Sequence, residues 1–257
     1  MKSVLLMTVC MFVYVCINLG NASINSQATM METYKRALDS GANAAIKHIS
    51  YSNQESMDIL ASGFGEGYQD KHNIYVDKNE ALKWFYQVFY RNLGIENNIQ
   101  VQERLKRYIP MKALILYDRI SIADVNDNWI VDKKMIIEHE GVEYLFTLSN
   151  QVMNISTGEW MDASNIGLLP EERKELVVKF IKYEIEDFLN RRENMESNLY
   201  YTIDFGLNDY DPKVNSINGV NFISLTEGMP IPSLNIFEPD QKLYAFSMGG
   251  SEITRKQ

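Results

Sequence analysis

The sequence predicts an α+β protein in which an amino-terminal transmembrane and stalk helix precedes an exported domain. We expect this domain to contain a mostly antiparallel sheet and two packed helices. The prediction follows from an uncharged apolar run at residues 3–19, a helical apolar repeat over residues 30–49, and short apolar runs from residue 109 onward. The expected organisation is a membrane anchor and helical stalk (1–50), a joint (51–73) and an exported head domain (74–257).

The apolar run is long enough to serve as a membrane anchor. As a helix, residues 3–19 would extend roughly 25 Å, close to the ~30 Å hydrocarbon core of a bilayer. Lys2 is the only charged side chain before the run, which favours a single pass with the carboxy-terminal domain outside. The predicted partner is therefore the lipid bilayer, and the residues expected to contact it are Val4, Leu5, Leu6, Val9, Phe12, Val13, Val15 and Leu19.

The same segment also fits a cleaved secretory signal. Lys2 supplies a positive start, the apolar run supplies the central region, and Gly20-Asn21-Ala22 has the small residues of a cleavage site. Cleavage after Ala22 would release a secreted protein acting as a hydrolase or a binding module. Both interpretations remain open at the level of sequence.

The residues after the apolar run form an amphipathic helical pattern. Apolar and small residues recur at spacings of three or four, at Met30, Tyr34, Leu38, Gly41, Ala45 and Ile49. Ala37, Gly41 and Ala45 would let another helix approach closely, so we expect them to form a helix-packing interface. This interface would serve self-association into a homo-oligomer or contact with envelope assembly proteins. The alternative is an ordinary amphipathic helix that opens a globular domain.

Charge and cysteine content restrict the class of protein. The chain carries 25 Lys and Arg against 34 Asp and Glu, a net charge of −9, which argues against nucleic acid as a partner. Both cysteines, Cys10 and Cys16, lie inside the apolar run. The exported part therefore has no disulfide, and its stability has to come from packing.

The head is predicted to contain two long helices and several strands. The first helix should run from Lys78 to Asn92, with Asp77 as its cap, Glu80 reaching back to the cap and Gly94 ending it. The second should begin at Pro170 and bury Val177, Phe180, Ile181, Ile185, Phe188 and Leu189. The predicted strands are Met111–Tyr117, Trp129–Glu138 and Val142–Leu148 as one antiparallel meander, a short Gln151–Ile155, and later Leu199–Phe205, Asn221–Leu225 and Lys242–Ser247.

The sequence predicts no catalytic, cofactor or metal site. The three histidines, His48, His72 and His139, are far apart and lack the spacing of a zinc site. The run 124–128, Asp-Val-Asn-Asp-Asn, begins like a calcium loop, but Trp129 and Met135 stand where glycine and glutamate are required. We therefore interpret this run as a turn and the protein as a structural component rather than an enzyme.

The first 95 residues or so resemble the pilin-like (Tad/TadE-type) envelope proteins of Gram-positive bacteria. The resemblance rests on MKSVLLMTVCMFVYVCINL, the alanine-rich ALDSGANAAIKHI and IYVDKNEALKWFYQVFYRNLGI before a strand-rich head. It implies a single-pass envelope protein whose amino-terminal helix packs in the membrane with its own kind or with assembly partners. The chain departs from the pattern of that family because it has no glutamate near the start of the apolar run.

Overall fold

A computed structural model describes residues 26–47, 77–193, 220–231 and 241–250, and these form an α+β structure as predicted. The helices are α1 (26–47), α2 (Lys78–Asn92), α3 (Ile99–Lys106), a 3-10 helix (Ala163–Ile166) and α4 (Pro170–Glu193). The strands are β1 (Met111–Ile115), β2 (Arg119–Ala123), β3 (Trp129–Lys134), β4 (Ile136–His139), β5 (Val142–Phe146), β6 (Gln151–Asn154), β7 (Trp160–Asp162), β8 (Asn221–Ile231) and β9 (Gln241–Gly250).

Several predictions concern residues outside these ranges. They are the membrane anchor from Val4 to Leu19, the joint at 51–73, the strand Leu199–Phe205, and the histidines His48 and His72. Within the described ranges, no helix is both long enough and apolar enough to cross a membrane.

The first sheet has five antiparallel strands in the order β3-β2-β1-β8-β9. Its central strand, β1, is buried along its whole length, and Ala113 lies opposite Ile122 on one side and Ile223 on the other. A strand buried on both faces has no solvent-facing side, which explains why its sequence, MKALI, does not alternate simply between apolar and polar residues.

Each face of this sheet contributes to a separate core. On one face, α1 and α2 pack over Leu114, Phe222 and Leu243. On the other face, α4 and the second sheet pack over Ala113, Ile122 and Ile223, among other residues. Because successive residues of a strand point to opposite faces, one strand supplies both cores.

The second sheet corrects the prediction of a single meander. It has four antiparallel strands in the order β4-β5-β6-β7, so the segment predicted as one strand, Trp129–Glu138, is divided between two sheets. The division falls at Met135, which is fully buried. Its N–H donates to Asp118 O (2.8 Å), and its carbonyl accepts from Phe146 N (2.8 Å). Met135 thus uses its backbone to join the two sheets.

The ends of α2 and the buried face of α4 largely follow the sequence signals. Asp77 caps α2 by accepting from the backbone N–H groups of Asn79 (3.0 Å) and Glu80 (3.1 Å), and Gly94 has the positive φ of +67° expected beyond a helix end. Glu80 does not complete the predicted box, because its carboxylate accepts from Trp84 Nε1 at 2.8 Å. The predicted face of α4 is confirmed, with Phe180 half-buried and the other five residues buried.

Candidate functional site

The small-residue face of α1 packs against the protein's own head. Ala37 is 1% exposed and Ala45 is fully buried. A Cβ placed on Gly41 would lie 2.9 Å from the carbonyl oxygen of Phe85, which means that the glycine permits direct contact between α1 and the backbone of α2. The face predicted for self-association is therefore occupied within the chain, and a second copy has no access to it while the head is folded.

A second close contact joins α1 to the edge strand β9. A Cβ on Gly249 would lie 2.3 Å from the carbonyl carbon of Ala42 and 2.4 Å from both Ala42 O and Asn43 N. No side chain fits there, so α1 lies directly on the backbone of β9. The described part of the predicted stalk is thus an element of the head's core.

Aromatic rings fill the space between α2 and the sheet. The rings of Phe85 and Phe222 are 5.0 Å apart between centroids, and those of Phe85 and Phe89 are stacked at 5.9 Å. All three side chains are fully buried. These residues stabilise the packing of α2 on β8 through apolar burial and ring contact.

The most unusual polar group of the described residues is Lys112, on the central strand β1. Its side chain is fully buried, and its ammonium contacts Asp127 Oδ1 (2.7 Å), Ile109 O (3.4 Å) and the carbonyl oxygen of Asp124. Burial lowers the pKa of Lys112, and the hydrogen bond and charge of Asp127 oppose this shift. An ammonium with three donors has all of them engaged here, so the geometry favours a structural cation over a nucleophilic amine.

Asp127 collects three donors from three different elements. Besides Lys112, it accepts from Tyr86 Oη of α2 at 2.9 Å, and its second oxygen lies 2.6 Å from Lys106 Nζ of α3. Burial, followed by the Asp127 carboxylate, raises the pKa of Tyr86 well above its usual value, so the phenol stays protonated and donates. The cluster of Lys112, Asp127, Tyr86 and Lys106, which we call the ionic centre, joins α2 and α3 to the sheet.

The loop 124–128 is a turn, as predicted, and its carboxylates are already engaged. Asp124 Oδ1 accepts from the N–H groups of Asn126 and Asn128, both at 2.9 Å. Asp127 has a φ of +67°, a conformation that Asp and Asn tolerate better than most residues. Across the ranges that the structure describes, no group of three or more His, Cys, Asp or Glu side chains is arranged to hold a metal ion.

A second polar cluster ties the start of α2 to the edge of the first sheet. Asp132 Oδ2 lies 2.9 Å from Lys78 Nζ, and its Oδ1 accepts from Ser121 Oγ at 3.0 Å. Burial alone would raise the pKa of Asp132, but these hydrogen bonds and the charges of Lys78 and Arg119 together lower it. The carboxylate therefore stabilises the contact in its ionised form.

The remaining histidine of the described ranges, His139, has a local role. Its Nε2 lies 3.2 Å from the carbonyl oxygen of Ile166, at the end of the 3-10 helix.

The sequence patterns did not predict the ionic centre, although a lysine inside the apolar strand MKALI was a signal that could have indicated it.

Comparisons with known proteins do not assign a family. No protein-family profile matches the chain, and neither a curated protein nor a solved structure matches it. The resemblance to pilin-like envelope proteins consequently stays a prediction from the first 95 residues.

Proposed function

We propose that the protein is a membrane-anchored structural or assembly component of the cell envelope, with its folded head on the extracytoplasmic side. The observation that carries this proposal is the uncharged apolar run at residues 3–19. An uncharged apolar segment of that length partitions into lipid more readily than into water.

Because α1 packs directly on the head, an anchor that precedes α1 would hold the head close to the membrane. Only residues 20–25 separate the apolar run from the described start of α1 at residue 26. Because α1 contacts Phe85 of α2 and Gly249 of β9 with no intervening side chain, the head cannot swing freely about α1. The anchor would then keep the head within the reach of six residues, roughly 20 Å, of the bilayer, which suits a component of an envelope assembly.

Self-association through the amino-terminal helix has to use another surface than the small-residue face. Ala37, Gly41 and Ala45 contact the head, so contact between copies through this helix would fall to the segment before residue 26 or to exposed residues of α1 such as Met30. Helices associate in lipid through close packing, and the apolar run supplies such a surface in the proposed pilin-like arrangement.

A secreted protein is the second candidate, and one observation favours it. The described helix begins after Ala22, and its buried apolar residues, from Ala37 to Ile46, would all remain after cleavage there. Cleavage would therefore leave the head intact and free in solution, where it would act as a hydrolase or a binding module.

Intact mass and carbonate extraction of the exported protein distinguish the two candidates. An anchored protein should retain residues 1–22 and stay with the membrane pellet. Val9→Lys should release it, since a lysine at the centre of a span costs about 2.5–3.5 kcal/mol, whereas Val9→Ile should not. A soluble wild-type chain that begins at Ser23 would refute the anchor.

A further inference from the structure

The elbow between α2 and α3, residues 93–99, presents an exposed apolar side chain. Ile99, the first residue of α3, is 72% exposed, more than any other large apolar side chain of the described ranges. Hydrogen bonds fix the backbone around it, because the side chain of Gln102 donates to the carbonyl oxygens of Ile95 (2.8 Å) and Glu96 (2.9 Å). Ile99 is therefore held outward at a structured corner of the head.

The elbow and α3 are positively charged in an otherwise acidic protein. Residues 91–107 contain four basic and two acidic side chains, a net charge of +2, whereas the whole chain carries −9. Lys106 is neutralised within the ionic centre. Arg91, Arg104 and Arg107 are exposed, and none of them forms an ion pair within the part of the chain that the structure describes. The guanidinium groups are therefore available to an anionic partner.

The elbow lies at the end of the first sheet where β1 begins. Helix α3 leads into β1, and just after α3 the carbonyl oxygen of Tyr108 accepts from the N–H of Glu227 (2.8 Å). Met111, the first residue of β1, pairs with Leu225. The elbow is therefore near the later residues of β8 and away from the residue where that strand starts.

The start of α1 lies at the same end of the sheet. The backbone of Ala42 meets Gly249, which pairs with Phe222, next to the first residue of β8 and the last of β9. From there the sheet continues in one direction only. Met31 and Tyr34 precede this contact and pack against the same core, so they lie over the remaining length of β8 and β9. From Ala42 back to its first turn α1 rises roughly 22 Å, which is enough to reach the end where β1 begins.

We propose that the elbow docks on the phospholipid surface of the membrane that holds the anchor. This inference rests on the proposed function, because the apolar run ends only six residues before α1 and so brings this end of the head to the lipid. Ile99 would enter the boundary between headgroups and acyl chains, as apolar residues of interfacial segments do. Arg104 and Arg107 would bond to lipid phosphates, which match the planar guanidinium group.

Tryptophan quenching by brominated lipids can test this docking. The full-length chain is reconstituted in nanodiscs of equimolar phosphatidylcholine and phosphatidylglycerol with brominated acyl chains. Ile99→Trp places a probe at the elbow, and the wild-type chain gives the background from its three native tryptophans. Quenching of the variant should exceed that background, because bromine quenches an indole ring that reaches the acyl chains.

Leu169→Trp is a matched control for the probe. Leu169 is a large apolar residue with a similar exposure, 65%, just before α4. It lies at the opposite end of β1, since Arg173 in the first turn of α4 donates to Thr147 O (2.8 Å). The adjacent Leu148 N–H donates to Tyr117 O (2.8 Å), in the turn between β1 and β2. Tryptophan at position 169 should therefore add no quenching.

A second pair of variants tests the arginines. In the Ile99→Trp chain, Arg104→Gln with Arg107→Gln should lower the ratio of docked to undocked elbow about fivefold per charge, or about 25-fold together. Lys134→Gln with Lys179→Gln removes the same charge from exposed positions outside the elbow and should leave the quenching unchanged. An unchanged melting temperature of each variant verifies its fold.

The outcomes separate this docking from the anchor itself. A chain that leaves the discs or lacks residues 1–22 would refute the anchor and the docking together. A chain that stays in the discs, with Ile99→Trp quenched no more than Leu169→Trp, would refute the docking alone. Quenching that persists in the paired arginine variant would also overturn it. A tryptophan signal that shifts with the number of copies per disc, without quenching, would assign the elbow to contact between copies instead.

Discussion

Replacing Gly249 with alanine tests whether α1 belongs to the folded head. The new Cβ would lie 2.3 Å from the carbonyl carbon of Ala42, whereas ordinary van der Waals contact begins near 3.4 Å. The atoms it meets are backbone atoms of α1, which cannot rotate away as a side chain would. The helix and the strand must therefore separate by about 1 Å, the difference between those two distances.

The expected loss of stability is large for a single methyl group. Overpacking of a close contact typically costs ~1–3 kcal/mol, and we expect about 3 kcal/mol because backbone has to move. For a domain of this size the melting temperature should fall by roughly 6–12 °C, which circular dichroism of the full-length chain would detect.

Gly141→Ala is a matched control. Gly141 has a φ of +79°, and no heavy atom lies within 4 Å of the position that its new methyl group would take, so alanine there introduces backbone strain without a clash. Strain of that kind costs roughly 1–2 kcal/mol. If Gly249→Ala lowered the melting temperature no more than this control does, α1 would not lie on β9 as described, and the proposed coupling of anchor to sheet would lose its basis.

Two further predictions concern the polar clusters. Asp127→Asn should lower the free energy of unfolding in urea by about 3 kcal/mol, because Lys112 would keep a buried charge without its counter-ion. Asparagine still tolerates the positive φ at this position, so the backbone of the turn should not add to the loss. A change below about 0.5 kcal/mol would contradict the ionic centre. The lowered pKa of Asp132 adds stability that is complete above the unfolded value of about 3.8 and is lost as pH falls through the folded value. Asp132→Asn should therefore flatten the loss of stability that occurs as the pH falls below about 4, and an unchanged acid profile would exclude this role.

The elements that the sequence predicted best are those whose signals are local. Helix α2 has a capping aspartate, a wide apolar arc and a terminal glycine within one stretch, and α4 begins with Pro170 and has an apolar face from Val177 to Leu189. Each signal acts within a few residues, so the sequence alone is enough to place the helix ends.

The sheet arrangement depended on contacts between distant residues. Nothing near Met135 in the sequence indicates that its N–H bonds to Asp118 while its carbonyl bonds to Phe146. Strand β2 was missed because β1 and β2 are connected by only three residues, 116–118, two of which the apolar pattern assigns to the preceding strand. Periodicity identifies a strand but does not state which strand lies beside it.

The ionic centre was missed for a related reason. Lys112, Asp127 and Tyr86 are separated along the chain and come from a strand, a turn and a helix. A buried lysine is stable only with a carboxylate and carbonyl oxygens around it, and those partners become visible only once the elements are packed. The cue in the sequence, a lysine between apolar neighbours, indicates that a partner is needed without naming it.

The small residues on one face of α1 likewise predict a close contact without identifying the partner, and the identity of that partner bears on the function. Small residues at helical spacing indicate that something approaches closely, which in this protein is α2 at Phe85 and β9 at Gly249. Since this face is used inside the head, an anchored form and a form cleaved after Ala22 would contain the same folded body. The difference between a tethered envelope component and a secreted protein therefore resides in residues 1–22.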